Sequence, residues 1–238
     1  MTVVPNSKAD HVETFKTSLR RLLKGYEFDI VGLYRKNSDI LPLPRESSLI
    51  GKVLEVTIKW HLDKRVLSTK GLEFTRGGER SYPDLTIYGT AVGGHRYAVD
   101  VKCVRRNEKG SRTESAMGLA TFDANYFRHP DDPDPNIVAP YNSYDAHLVL
   151  VALYDYADAT ARNVELLVVE KWRIASRKRA SGTRCYVAAM TEIDKIRKEQ
   201  GEFESEEEFN AYWRAIPIPE KKVRTKKPKK GAESTDMD

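Results

Sequence analysis

The chain has very little cysteine: among its 238 residues, only Cys103 and Cys185 carry a thiol. Two cysteines without a CxxC spacing exclude a zinc knuckle and a disulfide-stabilised scaffold. The five histidines are scattered along the sequence and lack the HExxH spacing of a zinc protease. There is also no apolar run of about 18 residues for a membrane span, and no signal-peptide pattern at the N-terminus. We therefore expect a soluble, cytoplasmic protein that does not interact with membranes.

A strong overall charge is also missing, since 40 Lys+Arg against 35 Asp+Glu leave a net charge of only +5. Residues 217–238 hold seven of the basic and four of the acidic side chains, so this Lys-rich tail carries +3 of that excess. The remainder is too weakly basic for bulk charge to indicate nucleic-acid binding. Because the tail is also poor in apolar residues, we expect it to be disordered. Residues 1–216 are then expected to form one folded domain.

The apolar pattern predicts an α/β fold with a mixed central sheet flanked by helices. Helical spacing predicts helices over about 7–24, 47–62, 115–127, 191–200 and 205–214. Strands are predicted over 26–35, 40–43, 85–88, 95–104, 146–156 and 164–174. The last two strands are nearly continuous apolar runs, which are typical of the centre of a sheet. The helix over 47–62 is apolar on most sides and is expected to be well buried, whereas the basic segment 177–184 reads as a loop.

The two strands over 85–88 and 95–104 predict a β-hairpin that brings charged side chains together. If the turn is centred on residue 92, Asp84 lies opposite Asp100. Alternation along the strand then places Lys102 on the same face as Asp100 and turns the intervening valines into the core. Residues directly opposite on antiparallel strands have Cβ atoms roughly 4.5–5.5 Å apart, and like charges there destabilise the sheet. The hairpin therefore needs something that neutralises two facing carboxylates.

A shared proton or a bound cation would meet that need. Mg²⁺ prefers oxygen ligands and is usually bound by one or two carboxylates together with a substrate phosphate. A lysine next to such an ion can orient an attacking water and help to deprotonate it, while the ion stabilises the charge that develops on a phosphate. This set indicates phosphodiester hydrolysis. The alternative is that Asp84 only begins a strand and that Asp100 pairs with Lys102 on an exposed face.

Glu55 is a third acidic residue of interest, because it is the only one within the predicted helix over 47–62. One interpretation is a surface ion pair with Lys52 or Lys59, which lie three and four residues away and would contribute a few tenths of a kcal/mol. The other is that a single carboxylate on a mostly apolar helix points into the catalytic cleft.

The short motifs of the hairpin are frequent by chance, but their arrangement here is specific. The chain contains three PD pairs and two [DE]xK triplets, and only Pro83-Asp84 with Asp100–Lys102 lies on a predicted hairpin. The segment SYPDLTIYGTAVGGHRYAVDVKC resembles the catalytic hairpin of the PD-(D/E)xK nucleases, in particular of EcoRV-type type II restriction endonucleases. YEFDIVGLYRKNSDILPL, YDAHLVLVALY and FESEEEFNAYWR resemble further segments of that family, so the resemblance covers roughly residues 10–215.

The resemblance implies a restriction-endonuclease-like core that acts on double-stranded DNA as a homodimer. Asp84 and Asp100 would ligate Mg²⁺, for which Mn²⁺ would substitute, and the Val101 carbonyl is a further candidate ligand. Lys102 would position or activate the water, and Glu55 matches an acid implicated in a second metal site. The products would be a 5′-phosphate and a 3′-hydroxyl within a short palindrome, with GATATC cut bluntly as one candidate. A cognate DNA methyltransferase acting on the same site is the implied partner.

Two loops correspond to the family's DNA-reading segments. The loop before the PD pair would contact the minor groove with Gly78, Glu79, Arg80 and Ser81, and a late loop would read the major groove with Ser181, Gly182, Thr183 and Arg184. The late loop departs from the family pattern, because Thr183 stands where the family has an adenine-binding asparagine and the segment is about one residue shorter. Arg184 either binds guanine through two hydrogen bonds or contacts a phosphate. This departure puts GATATC in doubt as the target.

Two other functions remain compatible with the same residues. A repair or junction-resolving nuclease on this core would read DNA shape instead of sequence. A non-catalytic DNA-binding module would keep the fold, but it has no use for two facing acids near a phosphate.

Overall fold

The computed structural model describes residues 7–36, 39–78, 81–180 and 185–218. The helices are α1 (Lys8–Leu22), α2 (Ser47–Leu67), α3 (Asn125–Arg128), α4 (Ile193–Arg197) and α5 (Glu206–Ala215). The strands are β1 (Gly32–Tyr34), β2 (Ile40–Pro42), β3 (Glu73–Arg76), β4 (Leu85–Tyr88), β5 (Tyr97–Arg105), β6 (Gly118–Thr121), β7 (Ala146–Ala157), β8 (Thr160–Glu170), β9 (Ala175–Arg179) and β10 (Tyr186–Ala189). Apart from its first two residues, the predicted tail over 217–238 lies outside the described residues.

The main sheet has five strands in the order β3-β4-β5-β7-β8. β5 and β7 are parallel, and the other neighbouring pairs are antiparallel. The first nine residues of β7 are all buried, as expected for a strand that is covered on both faces. This arrangement confirms the predicted mixed central sheet flanked by helices. The prediction that 164–174 is also a central strand is wrong, because β8 is an edge strand of this sheet as described.

The two faces of the main sheet are covered by different layers. One face packs against α1 and α2, and its core includes Phe15, Leu62, Val99 and Val101. The other face packs against a three-stranded sheet, β6-β10-β9, and the C-terminal helices. Because side chains alternate along a strand, Val99 and Val101 point towards α1 and α2, while Asp100 points to the opposite face.

The structure differs from the prediction most clearly in short segments. The predicted helix over 115–127 is wrong, because this segment contains β6 and the single-turn helix α3. β6 pairs with β10, about 65 residues later in the chain, and this distant pairing overrides the local helical spacing. Likewise, the predicted loop over 177–184 is wrong at its start, since β9 extends to Arg179. The predicted strand over 26–35 is reduced to β1, which pairs with β2.

Helix α2 is longer than predicted and more exposed. Ile50, Leu54, Ile58 and Leu62 are fully buried on one side of the helix. On the other side, Val56 and Trp60 are 56% and 59% exposed. The expectation of a helix buried on most sides is therefore wrong, because only one apolar stripe packs against the sheet.

Among the residues that the structure describes, no helix combines the length and the apolar character needed to cross a membrane.

Candidate active site

The β4–β5 hairpin has the register that the sequence predicts. Leu85 lies opposite Val99, and the next two pairs follow the same register. One further step places Asp84, immediately before β4, opposite Asp100. The Val101 amide donates a hydrogen bond to Asp84 Oδ2 at 2.7 Å, and this bond holds the carboxylate against β5. A local turn and strand alternation thus bring the two predicted acids together.

The two carboxyl groups have different electrostatic environments. Burial, together with the charge of Asp84, raises the pKa of Asp100 to about 6, although Lys102 opposes this shift. For Asp84, burial alone would raise the pKa, but the hydrogen bond shared with Asp100 and the ammonium group of Lys59 outweigh it and lower the pKa. Two like charges in such close contact cannot both ionise freely. Asp100 therefore takes up a proton as the pH falls below about 6.

Lys102 lies next to Asp100, as alternation along β5 predicts. Its Nζ is 2.7 Å from Asp100 Oδ2. Burial would lower the pKa of Lys102, but the charge of Asp100 and its hydrogen bond outweigh burial and raise that pKa. Lys102 is therefore an ammonium ion at neutral pH, which can donate hydrogen bonds to a water or a phosphate oxygen.

Glu55 forms the ion pairs with Lys52 and Lys59 that the first interpretation predicts. It accepts hydrogen bonds from Lys52 at 3.0 Å and from Lys59 at 2.7 Å on the surface of α2. Lys59 Nζ also donates to Asp84 Oδ1 at 2.5 Å. A single ammonium group therefore links Glu55 to the hairpin carboxylates. The role of Lys59 was not predicted, because the sequence places Lys59 only on the same helix face as Glu55, and its contact with Asp84 is tertiary.

A cleft of about 440 Å³ opens beside the charged side chains of the hairpin. Its walls come from the end of the loop before β4, from β5 and from the second sheet: Ser81, Tyr82, Asp100, Lys102, Ala116, Gly118, Leu119, Ala120, Thr121, Tyr126, Ala180 and Tyr186. Ser81 is the one predicted DNA-contacting residue whose position beside the cleft can be described. Glu79, Arg80 and the late-loop residues Ser181, Gly182, Thr183 and Arg184 lie outside the described residues.

Behind the cleft, a buried hydrogen-bond chain fixes the segment that carries Asp84. Lys171, only 1% exposed, donates to the Tyr82 hydroxyl at 2.5 Å. Tyr82 is 2.7 Å from His147 Nδ1, and His147 Nε2 is 3.1 Å from the Tyr141 carbonyl. Since a carbonyl can only accept, Nε2 carries the proton and Nδ1 accepts from Tyr82. No sequence pattern predicts these hydrogen bonds, because they join residues that are 65 and 89 positions apart.

The chain is similar to known nucleases. The family model described as "Restriction endonuclease EcoRV" matches residues 24–233. A curated relative, the type II restriction enzyme EcoRV of Escherichia coli, is 23% identical over 208 aligned residues, which cover 79% of this chain and 82% of that protein. The family match includes α2, the β4–β5 hairpin and both walls of the cleft.

Proposed function

Because the chain belongs to the EcoRV family of restriction endonucleases and is thus a type II site-specific deoxyribonuclease, we propose that it hydrolyses double-stranded DNA at a short palindrome with Mg²⁺ as cofactor. Membership confirms the predicted family and its restriction-endonuclease-like fold. The observation that carries the proposal is the placement of Asp84 opposite Asp100, with Lys102 2.7 Å from Asp100. We infer from it which residues perform the chemistry.

The donor set of the hairpin fits a hard divalent cation. Asp84 and Asp100 bring carboxylate oxygens close together. Their mutual repulsion, which contributes to the raised pKa of Asp100, favours a cation that neutralises both carboxylates. Oxygen ligands of this kind suit Mg²⁺, and Mn²⁺ accepts the same donors. Asp84 and Asp100 would hold the ion, with the Val101 carbonyl as a further ligand and Glu55 as the acid of a second site. When bound, such an ion makes water a better nucleophile and stabilises charge on phosphate.

The chain's own residues supply orientation and positive charge. The Val101 amide keeps Asp84 turned towards Asp100. Lys102 is an ammonium ion that can donate hydrogen bonds to the attacking water or to a phosphate oxygen, and its cationic form favours positioning over proton abstraction. In-line attack of that water on the phosphorus would leave a 5′-phosphate and a 3′-hydroxyl.

Sequence recognition is proposed to come from the two loops that resemble the DNA-reading segments of the family. Residues 78–81 would contact the minor groove, and residues 181–184 would read the major groove, with Arg184 on a guanine or a phosphate. GATATC, cut bluntly, is the first target to test. A cognate methyltransferase would protect the same sequence in the host DNA.

A homodimer is proposed to form through the β1–β2 hairpin. Its surface exposes a group of apolar side chains: Val31, Leu33, Tyr34, Ile40 and Leu41 are between 41% and 73% exposed. A contiguous apolar patch indicates an interaction site, and a two-stranded hairpin is at best marginally stable alone. A second copy related by a two-fold axis would cover this patch and match the symmetry of a palindrome.

Leu41→Glu is expected to dissociate the dimer, because a charge buried in an apolar interface without a partner is strongly unfavourable. At micromolar concentration, sedimentation should give the mass of two chains for the unsubstituted protein and the mass of one chain for Leu41→Glu. Ile218→Glu is the control, since Ile218 is 50% exposed but lies at the other end of the domain sequence. If the unsubstituted protein already sediments as a single chain, the proposed dimer is contradicted.

Mg²⁺ affinity is expected to depend on pH through Asp100. Because the pKa of Asp100 is raised to about 6, this carboxyl gains a proton as the pH falls below that value and the ion must then displace it. Affinity should decrease by about tenfold per pH unit below the pKa and level off above it, as expected for one coupled proton. Calorimetric titration of Mg²⁺ across this range measures the slope, and a constant affinity would rule out this coupling.

Lys59→Met is expected to strengthen Mg²⁺ binding by about tenfold, equivalent to about 1.4 kcal/mol. The Lys59 ammonium pairs with oxygens of both Asp84 and Glu55, so it competes with a bound ion for the same charge. Lys52→Met is the matched control, because Lys52 contacts Glu55 and is 54% exposed. Calorimetry reports the affinities independently of cleavage. Weaker binding in Lys59→Met would show that Lys59 supports the metal site instead.

Digestion of a fully sequenced plasmid with added Mg²⁺ tests the proposed function. The proposal expects discrete fragments whose sequenced ends share one palindrome and carry a 5′-phosphate. Nicking at branched or mismatched DNA without a common sequence would indicate a structure-specific nuclease. Binding without cleavage under any divalent ion would indicate a non-catalytic module.

A further inference from the structure

Three potential metal-ligating side chains meet on the far side of the domain from the cleft. His11 lies on α1, His95 lies in the turn before β5, and Asp145 immediately precedes β7. One ligand atom from each lies within 4.8 Å of the other two. Within the described part of the chain, this is the only group of three or more His, Cys, Asp or Glu side chains that meets this criterion. Histidines that are scattered in the sequence are therefore partly clustered in the fold.

This cluster is separate from the catalytic hairpin. His95 lies five residues before Asp100, in the turn that precedes β5, and His11 belongs to α1, which packs on the face of the sheet that holds Val99 and Val101. Asp100 and Lys102 point to the opposite face and line the cleft. β5 and β7 are parallel, with Tyr97 next to Ala146, and so the residues just before both strands meet at one end of the sheet.

Hydrogen bonds determine which imidazole nitrogens are free. The Tyr97 hydroxyl donates its single proton to the His11 carbonyl at 3.3 Å. In its second contact, at 3.0 Å from His11 Nδ1, the hydroxyl oxygen is therefore the acceptor and Nδ1 is the donor. His95 Nδ1 is 2.8 Å from Asp145 Oδ1, and an ionised carboxylate can only accept. Both imidazoles therefore carry their proton on Nδ1 and keep the Nε2 lone pair for a ligand. In metal sites, a carboxylate often fixes a histidine tautomer in this way.

The charge states also suit metal binding, which requires neutral imidazole and ionised carboxylate. Burial and the neighbouring His95 lower the pKa of His11. Burial would raise the pKa of Asp145, but the Arg96 amide and His95 outweigh it and lower that pKa. The Arg96 amide donates to Asp145 Oδ2 at 2.8 Å, and a carboxylate retains further lone pairs after accepting two hydrogen bonds.

A cavity of about 270 Å³ adjoins the two imidazoles. Its walls include His11, His95, Phe15, Tyr97 and Gly93. A Cβ atom placed on Gly93 would lie 3.4 Å from His95 Cδ2 and 3.8 Å from His95 Nε2, so a side chain at this position would crowd the free nitrogen. The cavity is large enough for a water molecule to serve as an additional ligand.

We propose that the Nε2 atoms of His11 and His95 bind a transition-metal dication of the Zn²⁺ type, with Asp145 orienting His95 through its Nδ1 hydrogen bond, at a site distinct from the Mg²⁺ site proposed for the β4–β5 hairpin. Imidazole nitrogen favours Zn²⁺ and Co²⁺, whereas Mg²⁺ prefers oxygen donors alone. The two imidazole nitrogens, together with waters from the cavity, would make up the tetrahedral geometry that Zn²⁺ prefers. The ion would link α1 to the turn before β5, and it would therefore stabilise the packing of α1 on the sheet.

Binding requires a small local rearrangement. The two imidazoles are stacked, with ring centroids 3.9 Å apart and planes 9° apart, and they must tilt for both lone pairs to point at one ion. Zinc–nitrogen distances of about 2.0–2.1 Å also require the ligand atoms to move closer than 4.8 Å. His95 and Asp145 are about one-third exposed, so their side chains have room for this movement.

Titration of tag-free protein with Co²⁺ in excess Mg²⁺ tests the proposal, since Mg²⁺ saturates the carboxylate site. One Co²⁺ per chain is expected, with the visible absorption of tetrahedral coordination, and Zn²⁺ should displace it and raise the unfolding temperature. His95→Ala and His11→Gln are expected to lose at least tenfold in Co²⁺ affinity, whereas His129→Ala retains it. His11→Gln keeps a polar side chain, so this variant can still be titrated with Co²⁺ if His95→Ala fails to fold.

Co²⁺ binding can contradict the proposed site without any measurement of DNA cleavage. Absence of Co²⁺ binding to the unsubstituted protein, or equal binding by the unsubstituted protein and His11→Gln, would overturn the proposal. Loss of DNA cleavage in Asp100→Ala with Co²⁺ binding intact would support two separate sites. Failure of the nuclease proposal would leave this titration unaffected.

Discussion

Replacing either Asp84 or Asp100 with alanine is expected to abolish DNA cleavage while DNA binding largely survives. Each change removes a carboxylate that would hold the ion, and the metal ion contributes several kcal/mol of transition-state stabilisation. Because each 1.36 kcal/mol corresponds to a tenfold change in rate, the expected loss is about 10³-fold or more. DNA affinity should persist because one of two repelling negative charges near the phosphate is removed.

Single-turnover cleavage of the identified target and a gel-shift assay in Ca²⁺ measure the two effects separately. Asp131→Ala is a matched control, because Pro130-Asp131 repeats the PD dipeptide outside the hairpin. Asp131 is exposed and accepts a hydrogen bond from Asn142, so its removal should leave the rate unchanged. A variant at Asp84 or Asp100 that cuts within about tenfold of the unsubstituted rate would remove that residue from the mechanism.

Lys102→Met is expected to lower the cleavage rate by about 10²–10⁴-fold, the range typical of one positioned group that handles protons. Methionine keeps most of the side-chain length and removes the ammonium group that lies 2.7 Å from Asp100. Unlike the two aspartate variants, Lys102→Met should retain Mg²⁺ binding, because no oxygen ligand is lost. This difference separates a residue that positions water or phosphate from one that holds the ion.

Calorimetry with Mg²⁺ and single-turnover rates together test the role of Lys102. Lys222→Met is the matched control, because Glu220–Lys222 is the other [DE]xK triplet of the chain. If Lys102→Met cleaves as fast as Lys222→Met, Lys102 has no part in the chemistry. If it cleaves slowly only because Mg²⁺ no longer binds, the ammonium group acts on the metal site instead.

The register of the β4–β5 hairpin could be predicted from the sequence because its determinants are local. Asp84 and Asp100 are joined by a short turn, so a residue count across that turn fixes which residues lie opposite each other. Alternation then places Lys102 beside Asp100. The family resemblance added Glu55 and the metal, and the structure brings Glu55 to the hairpin through Lys59.

Features that depend on distant contacts could not be predicted in this way. Lys171 and Tyr82 are 89 residues apart, and His95 and Asp145 are 50 residues apart. No local spacing links such residues, and only the order of strands in the sheet brings them together. The helix prediction for residues 115–127 is wrong for a related reason, since strand β6 in this segment is stabilised by pairing with the distant strand β10.

The most direct test is a crystal structure of the protein with Mn²⁺ and DNA, using the anomalous signal of manganese to locate the ion. The account predicts a peak bonded to one oxygen of Asp84 and one oxygen of Asp100, about 2.0–2.2 Å from each, and adjacent to a DNA phosphate. If manganese binds elsewhere while DNA is cut in the crystal, or if the two carboxylates contact no common ion, the proposed catalytic site is wrong.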